Sequence, residues 1–342
     1  MLATPLTEMF GIKHPILLAG MGAVSDGELA AAVTNAGGMG CMGGATMSVK
    51  ALRMNIDMLK KNLVDKNGPF GVDLLIPQVG GSARKTNKDY TGGHLPELID
   101  LIIEGGSKLF ICAVGVPPVW LVEKLHSAGI LVMNMVGHVK HVEKALNTGV
   151  DLICAQGGEG GGHTGDIATS ILIPKVVDAC RGRKSPLTGG PVHVVAAGGI
   201  FDGRGLAMAL SMGAVGVWVG TRFVACEEAG AGPYHKKLLT KTGYTDTIRT
   251  TIYTGRPMRV NASKFVMDWE SNRQEEIQKM LAKGKLPAPF GTQEKVDERP
   301  FLMGQAAGAI EDVKPAKAIV DEMVSQAYEL LSTTSKMLVA KL

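Results

Sequence analysis

The chain has 342 residues, 45% of them hydrophobic and 20% charged, which argues against a disordered protein and allows one large α/β barrel or two ordinary domains. The net charge of +4 is small and its lysines and arginines are spread along the chain, so nucleic-acid binding is not expected. The five scattered cysteines form no CxxC or Cys/His cluster, so the sequence predicts no metal site and no disulfide framework.

Short apolar runs alternate with segments of helical periodicity through the first two thirds of the chain. Nearly all-apolar strands separated by helices are typical of a parallel sheet that is covered on both faces. Eight such units predict a closed (β/α)₈ TIM barrel, and an open doubly wound sheet is the alternative. The predicted strands are 15–18, 39–42, 70–75, 108–113, 130–135, 151–155, 192–196 and 215–219, and the helices between them are 26–35, 49–63, 95–104, 119–127, 139–148, 172–181 and 203–212.

The sequence becomes richer in charge after the eighth predicted strand. Residues 236–299 read as a helical insertion over the barrel mouth, with 271–283 as its clearest helix. The remainder, 300–342, returns to small residues and then to a long amphipathic helix over 316–338. The predicted barrel domain therefore comprises residues 1–235 and 300–342.

The twelve residues 155–166, which follow the sixth strand, include six glycines. Glycine allows a backbone to approach a ligand closely and to adopt positive φ angles. His163 is the candidate for proton transfer, because the ordinary pKa of imidazole lies near the operating pH. Glu159 is expected to hold the loop through backbone N–H groups and has no predicted catalytic role. The alternative is a mobile surface loop with an incidental histidine.

Two further glycine-rich strand ends lie where barrels often bind phosphate, after strands seven and eight. The seventh strand ends in Ala197, Gly198 and Gly199, and the eighth ends in Gly220 and Thr221. Backbone N–H groups that glycine exposes near a helix start favour an anion. These two turns together predict a cofactor that carries a phosphate.

The other strand ends supply residues for the edge of a flat ring: the lip Ala19, Gly20 and Met21, then Asp73, Asn134 and Gln156. Side-chain amides match the donor and acceptor pattern of the pyrimidine end of a flavin. Three alternatives remain open at this point. Asn134 and Gln156 satisfy backbone groups, Met21 belongs to the core, or Asp73 caps the next element.

Motifs along nearly the whole chain give it a resemblance to a known family. They are Phe-Gly-Ile-Lys-His-Pro-Ile at 10–16, the Ala-Gln-Gly and Gly-Gly-His-Thr-Gly segments around His163, and the stretches 197–205, 220–223 and 304–308. Together they resemble the nitronate monooxygenase (2-nitropropane dioxygenase) family of FMN-dependent barrels. The resemblance implies non-covalent FMN with its phosphate at Gly198–Gly199 and Gly220–Thr221, and His163 near the reactive edge of the flavin. Gly161, Gly162 and Gln305, within the same motifs, join the predicted cofactor-binding residues.

The activity that the resemblance implies is oxidation of alkyl nitronates by dioxygen to a carbonyl compound and nitrite. The alternative is an NAD(P)H-dependent FMN reductase of quinones or enoyl thioesters, because the same motifs serve those enzymes. Residues 133–136 lack the lysine that some quinone-reductase members place at the end of strand five, which argues modestly against quinones. The predicted partners are a small-molecule substrate and dioxygen, with neither nucleic acid nor membrane, and a homodimer remains open.

The two ends of the chain bear on localisation. The N-terminal segment lacks the apolar region of a cleavable signal, and no stretch has the length and apolarity of a membrane span. These features predict a cytoplasmic protein. The C-terminal Ala340-Lys341-Leu342 resembles the Ser-Lys-Leu peroxisomal address, so a peroxisomal location is the alternative.

Overall fold

A computed structural model describes residues 2–337, and its central element is a barrel of eight parallel strands. Neighbouring strands follow the order β1-β9-β8-β6-β5-β4-β3-β2. The first and last are joined because Leu18 N–H donates to Met39 O at 3.0 Å and Met39 N–H donates to Ile16 O at 2.9 Å. The TIM barrel is therefore confirmed, and the open-sheet alternative is wrong. The strands are β1 Ile16–Leu18, β2 Gly40–Gly43, β3 Phe70–Leu75, β4 Leu109–Ala113, β5 Leu131–Val136, β6 Leu152–Gln156, β7 Gly162–His163, β8 His193–Ala197, β9 Gly216–Val219, β10 Thr247–Thr250 and β11 Met258–Asn261.

The predicted helices between the barrel strands are present, with shifted ends. The helix expected at 172–181 begins earlier, and the one expected at 139–148 divides into a 3₁₀ turn, Val139–His141, and a short α-helix. The helices are α1 Pro5–Phe10, α2 Gly27–Asn35, α3 Val49–Asn62, α4 Leu95–Glu104, α5 Val119–Ser127, α6 Val142–Leu146, α7 Thr169–Cys180, α8 Gly203–Ser211, α9 Thr221–Val224, α10 Pro233–Leu239, α11 Lys264–Asn272, α12 Gln274–Ala282 and α13 Ala316–Ser335.

The interior of the barrel is filled with apolar side chains, so it is a packed core and not a channel. Leu17, Met39 and Met133 are fully buried there. Leu6 and Phe10 from α1 join the same cluster and close the end at which the strands begin. The opposite end, where the strands finish, is the one available for a site.

The segment 236–299 is not the purely helical insertion that its charge pattern predicted. β10 and β11 form an antiparallel hairpin in which Thr250 pairs with Met258, and β11 also pairs with β7. The helix expected at 271–283 is α12, which follows α11 after a break at Arg273. The strands escaped detection because each is only four residues long, which is too short for an alternating pattern to stand out. The hairpin brings the insertion directly against the glycine-rich loop.

The C-terminal helix α13 completes the outer layer. It packs against α8 so closely that a Cβ on Gly203 would lie 2.4 Å from Gln326 Cβ, and Gly203 N–H donates to Gln326 Oε1 at 3.1 Å. Of the helices within residues 2–337, none combines the length and apolarity needed to cross a bilayer. The predicted helix end at Leu338 and the address Ala340-Lys341-Leu342 lie outside the described residues.

Candidate active site

A cavity of about 1650 Å³ lies at the end of the barrel where the strands finish, and the insertion forms part of its wall. Met21 lines this cavity and also packs against the barrel core, so both interpretations of this residue hold. All but one of the sequence-predicted site residues line the cavity: Ala19, Gly20, Met21, Asp73, Asn134, Gln156, Gly161, Gly162, His163, Ala197, Gly198, Gly199, Gly220 and Thr221.

Gln305 is the exception, because its side chain is exposed and does not line the cavity. Its backbone N–H donates to Glu159 O at 2.9 Å, while the neighbouring Met303 and Ala306 line the cavity. The motif at 304–308 thus reaches the site, but its 3₁₀ turn directs Ala306, and not Gln305, toward the cavity. Sequence order within a motif does not reveal which residue of a 3₁₀ turn faces a ligand.

The turns after β8 and β9 form a backbone cradle. Gly198 and Gly199 have φ angles of +95° and +71°, a conformation that favours glycine. In the part of the chain that the structure describes, no hydrogen bond occupies the backbone N–H groups of Gly199 and Thr221. Thr221 Oγ1 accepts the N–H of Gly304 at 2.9 Å, so its own proton is free to donate. The cradle therefore offers several donors to an anion.

Glu159 fixes this cradle to the glycine-rich loop. Its carboxylate accepts the backbone N–H of Thr169 at 3.0 Å, and Thr169 Oγ1 lies 2.8 Å from Glu159 Oε2 and 2.9 Å from Gly198 O. Arg259 Nε, from β11, donates to Gly158 O at 3.0 Å on the same loop. The prediction that Glu159 holds the loop is confirmed, and the loop is a braced element of the site.

Two buried oxygen atoms near the ends of β3 and β5 lack hydrogen-bond partners among the described residues: Asp73 Oδ1 and Asn134 Oδ1. The amide nitrogen of Asn134 donates to Met135 O at 3.0 Å, and that of Gln156 donates to His163 O at 2.9 Å. The alternative that Asn134 and Gln156 satisfy backbone groups is therefore correct for their amide nitrogens only. Asp73 caps no element, so that alternative is wrong. Because buried polar atoms are nearly always paired, these two oxygens fit a bound polar ring.

Burial raises the pKa of Asp73 from 3.8 to about 8. The native protein therefore holds a proton that the unfolded chain releases, and stability falls as pH rises through this interval. Asp73→Asn cannot ionise, and we expect flavin-free protein with this change to gain stability over wild type near pH 8 but little near pH 5. Urea unfolding at both pH values measures the difference. Asp57→Asn, on the exposed surface of α3, is the control and should leave stability unchanged at both pH values. Equal pH dependence of stability in wild type and Asp73→Asn would contradict the raised pKa of Asp73.

His163 lies on β7, and its ring faces the hairpin of the insertion. Its Nε2 is 3.1 Å from Thr254 Oγ1, whose proton is directed to Arg256 O at 3.3 Å. We assign the tautomer with a proton on Nε2, which leaves Nδ1 as the acceptor. Burial, with a contribution from the charge of Arg256, lowers the pKa of His163 to about 4. The expectation of a pKa near neutrality is thus corrected, and the imidazole is neutral at pH 7.

The residues that sequence reasoning missed are mostly cations. Among residues 2–337, the cavity-lining Arg84, Lys88, Lys140, Lys144 and Arg256 form no ion pair with a carboxylate. They come from three separate segments of the chain, and only the fold brings them together. The small positive net charge was a weak signal, because it did not show where the cations gather.

One group of these cations lies beyond β5, around the 3₁₀ turn and α6. His138, Lys140, His141 and Lys144 are all exposed and all line the cavity. Burial lowers the pKa of His141, and the charges of Lys140, His138 and Lys144 lower it further. The electrostatic potential is therefore positive on this side of the mouth, which attracts anions.

Comparison with known proteins identifies the family. The family model for nitronate monooxygenase matches residues 3–326. A dehydrogenase of Mycobacterium tuberculosis named (3aS,4S,5R,7aS)-5-hydroxy-7a-methyl-1-oxo-octahydro-1H-indene-4-carboxyl-CoA dehydrogenase is 38% identical over 79% of this chain and 69% of its own length. A probable nitronate monooxygenase of Staphylococcus saprophyticus is 32% identical over 78% of this chain and 80% of its own. The structure of FabK from Thermotoga maritima superposes with a TM-score of 0.79 at 29% identity, covering 99% of this chain and 100% of that one.

The barrel, its cavity and these similarities define an enzyme of the oxidoreductase class that acts on small molecules. The chain belongs to the nitronate monooxygenase family, as its sequence motifs predicted. This family is flavin-dependent, in agreement with the expected class of cofactor.

Proposed function

We propose that the protein is an FMN-dependent oxidoreductase whose substrate is an acyl thioester of coenzyme A. The observation that carries this proposal is the cavity of about 1650 Å³ whose mouth carries Lys140 and Lys144, two exposed cations that no carboxylate neutralises within the described chain and that form its cationic rim. Bound FMN supplies two-electron chemistry that amino-acid side chains lack.

The residues near the strand ends fit FMN. The free N–H groups of Gly199 and Thr221 would hold its phosphate, since the positive φ of the glycine turn exposes backbone donors. The unpaired oxygens of Asp73 and Asn134 would accept hydrogen bonds from the polar edge of its ring, or Asp73 would donate when protonated. In this assignment FMN would occupy the unpaired buried oxygens and the backbone cradle. The cationic rim would then be available to a second molecule, the substrate.

The size and charge of the cavity favour a coenzyme A thioester over a small substrate. Ordinary ligand pockets measure about 300–1,000 Å³, so this cavity has room for more than a flavin and a small molecule. Coenzyme A carries a diphosphate and a ribose phosphate, which need cations such as Lys140 and Lys144. The relative that shares 38% identity is named for a carboxyl-CoA substrate, and this supports the same class here.

His163 would act on the substrate as a neutral base. No hydrogen bond occupies its Nδ1 in the described part of the chain, so this atom would accept a proton from a carbon atom next to the thioester carbonyl, while Thr254 fixes the ring through Nε2. A group with a pKa of about 4 is unprotonated at neutral pH, so the ring is available as an acceptor, but the lowered pKa also makes it a weaker base than an ordinary imidazole. The hydride on the adjoining carbon would pass to bound FMN as this proton leaves, and in the reverse, reducing direction NAD(P)H would supply the electrons.

Anaerobic mixing tests this proposal. We expect the purified protein to be yellow, to release FMN on denaturation, and to bind an acyl-CoA thioester with a change in the flavin spectrum. The matched probe is the same acyl group on N-acetylcysteamine, which lacks the phosphates and should bind much more weakly. Equal binding of the two thioesters would contradict the role of the cationic rim, and a colourless protein that takes up no FMN would contradict the cofactor.

Substitutions at the rim give a second test. Lys140→Gln and Lys144→Gln should each weaken acyl-CoA binding by about 2–10-fold, because each loses one exposed charge contact to phosphate. The effect should shrink at high salt. Lys61→Gln is the control, since the end of α3 lies at the opposite face of the barrel. Binding that is unchanged in a Lys140/Lys144 double variant would remove the rim from recognition.

The second candidate function is oxidation of alkyl nitronates by dioxygen to a carbonyl compound and nitrite. The family model and the relative that shares 32% identity favour it by name. The same anaerobic experiment separates the candidates, because the true reductant removes the yellow colour rapidly. Rapid bleaching by the nitronate of 2-nitropropane, with none by NADPH or acyl-CoA, would favour this second candidate.

A further inference from the structure

The wall of the cavity carries two arginines, Arg84 and Arg256, whose charges have no carboxylate partner in the described chain. Arg84 Nη1 donates to Gly255 O at 3.0 Å, and Arg256 Nε donates to Asn87 Oδ1 at 3.1 Å. Both acceptors are neutral. The charge of Arg84 acts on Arg256, whose pKa is lowered first by burial and then by this like charge.

These two arginines belong to the same region of the site as His163. The backbone N–H of Arg256 donates to Thr254 Oγ1 at 3.3 Å, and that oxygen is 3.1 Å from His163 Nε2. The charge of Arg256 also contributes to the lowered pKa of His163. The guanidinium of Arg256 extends to Asn87, so an anion that it held would lie in the same cavity that His163 lines.

A purely structural role does not account for the charges. The contacts with Gly255 O and Asn87 Oδ1 join the loop after β3 to the insertion, but a neutral donor could make the same contacts. Asp166, an acidic residue on the cavity wall, already pairs with Arg249 at 2.7 Å. Arg256 is partly withdrawn from water beside the like charge of the exposed Arg84, and a buried charge of this kind is costly unless an anion neutralises it.

We propose that Arg84 and Arg256 together bind a carboxylate group of the substrate in the cavity that His163 lines. The planar guanidinium presents its N–H donors in a fork that matches a two-oxygen anion. Taken with the proposed function, on which this part rests, the substrate is a coenzyme A thioester whose acyl part carries a second acid group. The rim beyond β5 would then hold the phosphates, and the arginine pair would select the acyl part.

A matched pair of thioesters tests the selection. Glutaryl-CoA ends in a carboxylate and pentanoyl-CoA ends in a methyl group, at the same chain length. We expect the FMN-loaded wild type to bind glutaryl-CoA at least about tenfold more tightly, as calorimetry and the flavin spectrum would measure, because hydrogen bonds to charged groups are strong. Arg256→Gln and Arg84→Gln should each reduce this preference to about twofold or less and leave pentanoyl-CoA binding unchanged.

Two controls separate the possible failures. Lys144→Gln should weaken both thioesters equally, and Arg256→Lys should retain part of the preference. Thermal unfolding shows whether each variant is folded. If Arg256→Gln does not fold, Arg84→Gln still tests the proposal, because Arg84 is exposed and its replacement should not disturb the fold. Equal binding of the two thioesters by wild type, or a preference that survives in folded arginine variants, overturns the carboxylate site but not the proposed function.

Titration with free glutarate tests the carboxylate site without coenzyme A. If neither thioester binds but glutarate changes the flavin spectrum and Arg256→Gln abolishes that change, the carboxylate site stands and the thioester function fails. The nitronate of 2-nitropropane is also a planar anion, so it is titrated alongside. Binding of the nitronate that depends on the arginines, without binding of glutarate, overturns the carboxylate assignment.

Discussion

Replacing His163 by alanine is expected to leave FMN bound and to slow turnover by about 10²–10⁴-fold, the range for a general acid or base. In the proposed mechanism the ring would contribute its Nδ1 to proton transfer, and among the described residues it contacts no backbone group of the phosphate cradle, so the two properties should separate. Single-turnover reduction under anaerobic conditions measures the rate, and the absorbance spectrum measures the flavin content.

Two further variants show whether the loss is specific to this ring. His193→Ala is the control, because His193 lies on β8 at the end of the barrel away from the cavity. Thr254→Val removes the partner of Nε2 and should slow turnover less than His163→Ala, while Thr254→Ser should restore most of the rate. An unchanged rate in His163→Ala would remove this residue from the mechanism.

Replacing Gly199 by leucine is expected to yield folded protein that purifies without colour or binds FMN about 10–100-fold more weakly, as expected when a hydrogen bond to a charged group is lost. Gly199 has a φ of +71°, and a Cβ there would lie 3.3 Å from Glu159 Cβ. The side chain would therefore shift the turn that presents its N–H to phosphate. Flavin content per polypeptide and titration with added FMN measure the effect.

Gly189 provides a closely matched control, since its φ is also +71° but, among residues 2–337, no atom lies within 4 Å of its Cβ position. Gly189→Ala and Gly199→Ala should both lose about 1–2 kcal/mol of stability through backbone strain. Only the change at Gly199 should reduce FMN affinity. Normal flavin binding in Gly199→Leu would show that the phosphate is held elsewhere.

The sequence by itself was sufficient for the barrel and for a set of cavity-lining residues at the strand ends, but not for the cationic part of the lining. Its strands are continuous apolar runs because both faces of a parallel sheet are buried, and this pattern is local along the chain. The glycine turns after β6, β8 and β9 are also local signals, since positive φ angles such as that of Gly199 favour glycine. Because the strands are parallel, their ends meet at one face, so these residues could be assigned to one site.

The tertiary structure decided what the local patterns do not contain. The hairpin of β10 and β11 pairs with β7 through contacts between segments about 90 residues apart, and these contacts bring Thr254 and Arg256 to His163. The pKa of His163 follows from burial and from the charge of Arg256, both of which depend on neighbours that are distant in sequence. Gln305 turned away from the cavity because the fold of its turn, and not its motif, sets side-chain direction. Burial, electrostatics and side-chain direction depend on packing, so they were fixed only when the chain had folded.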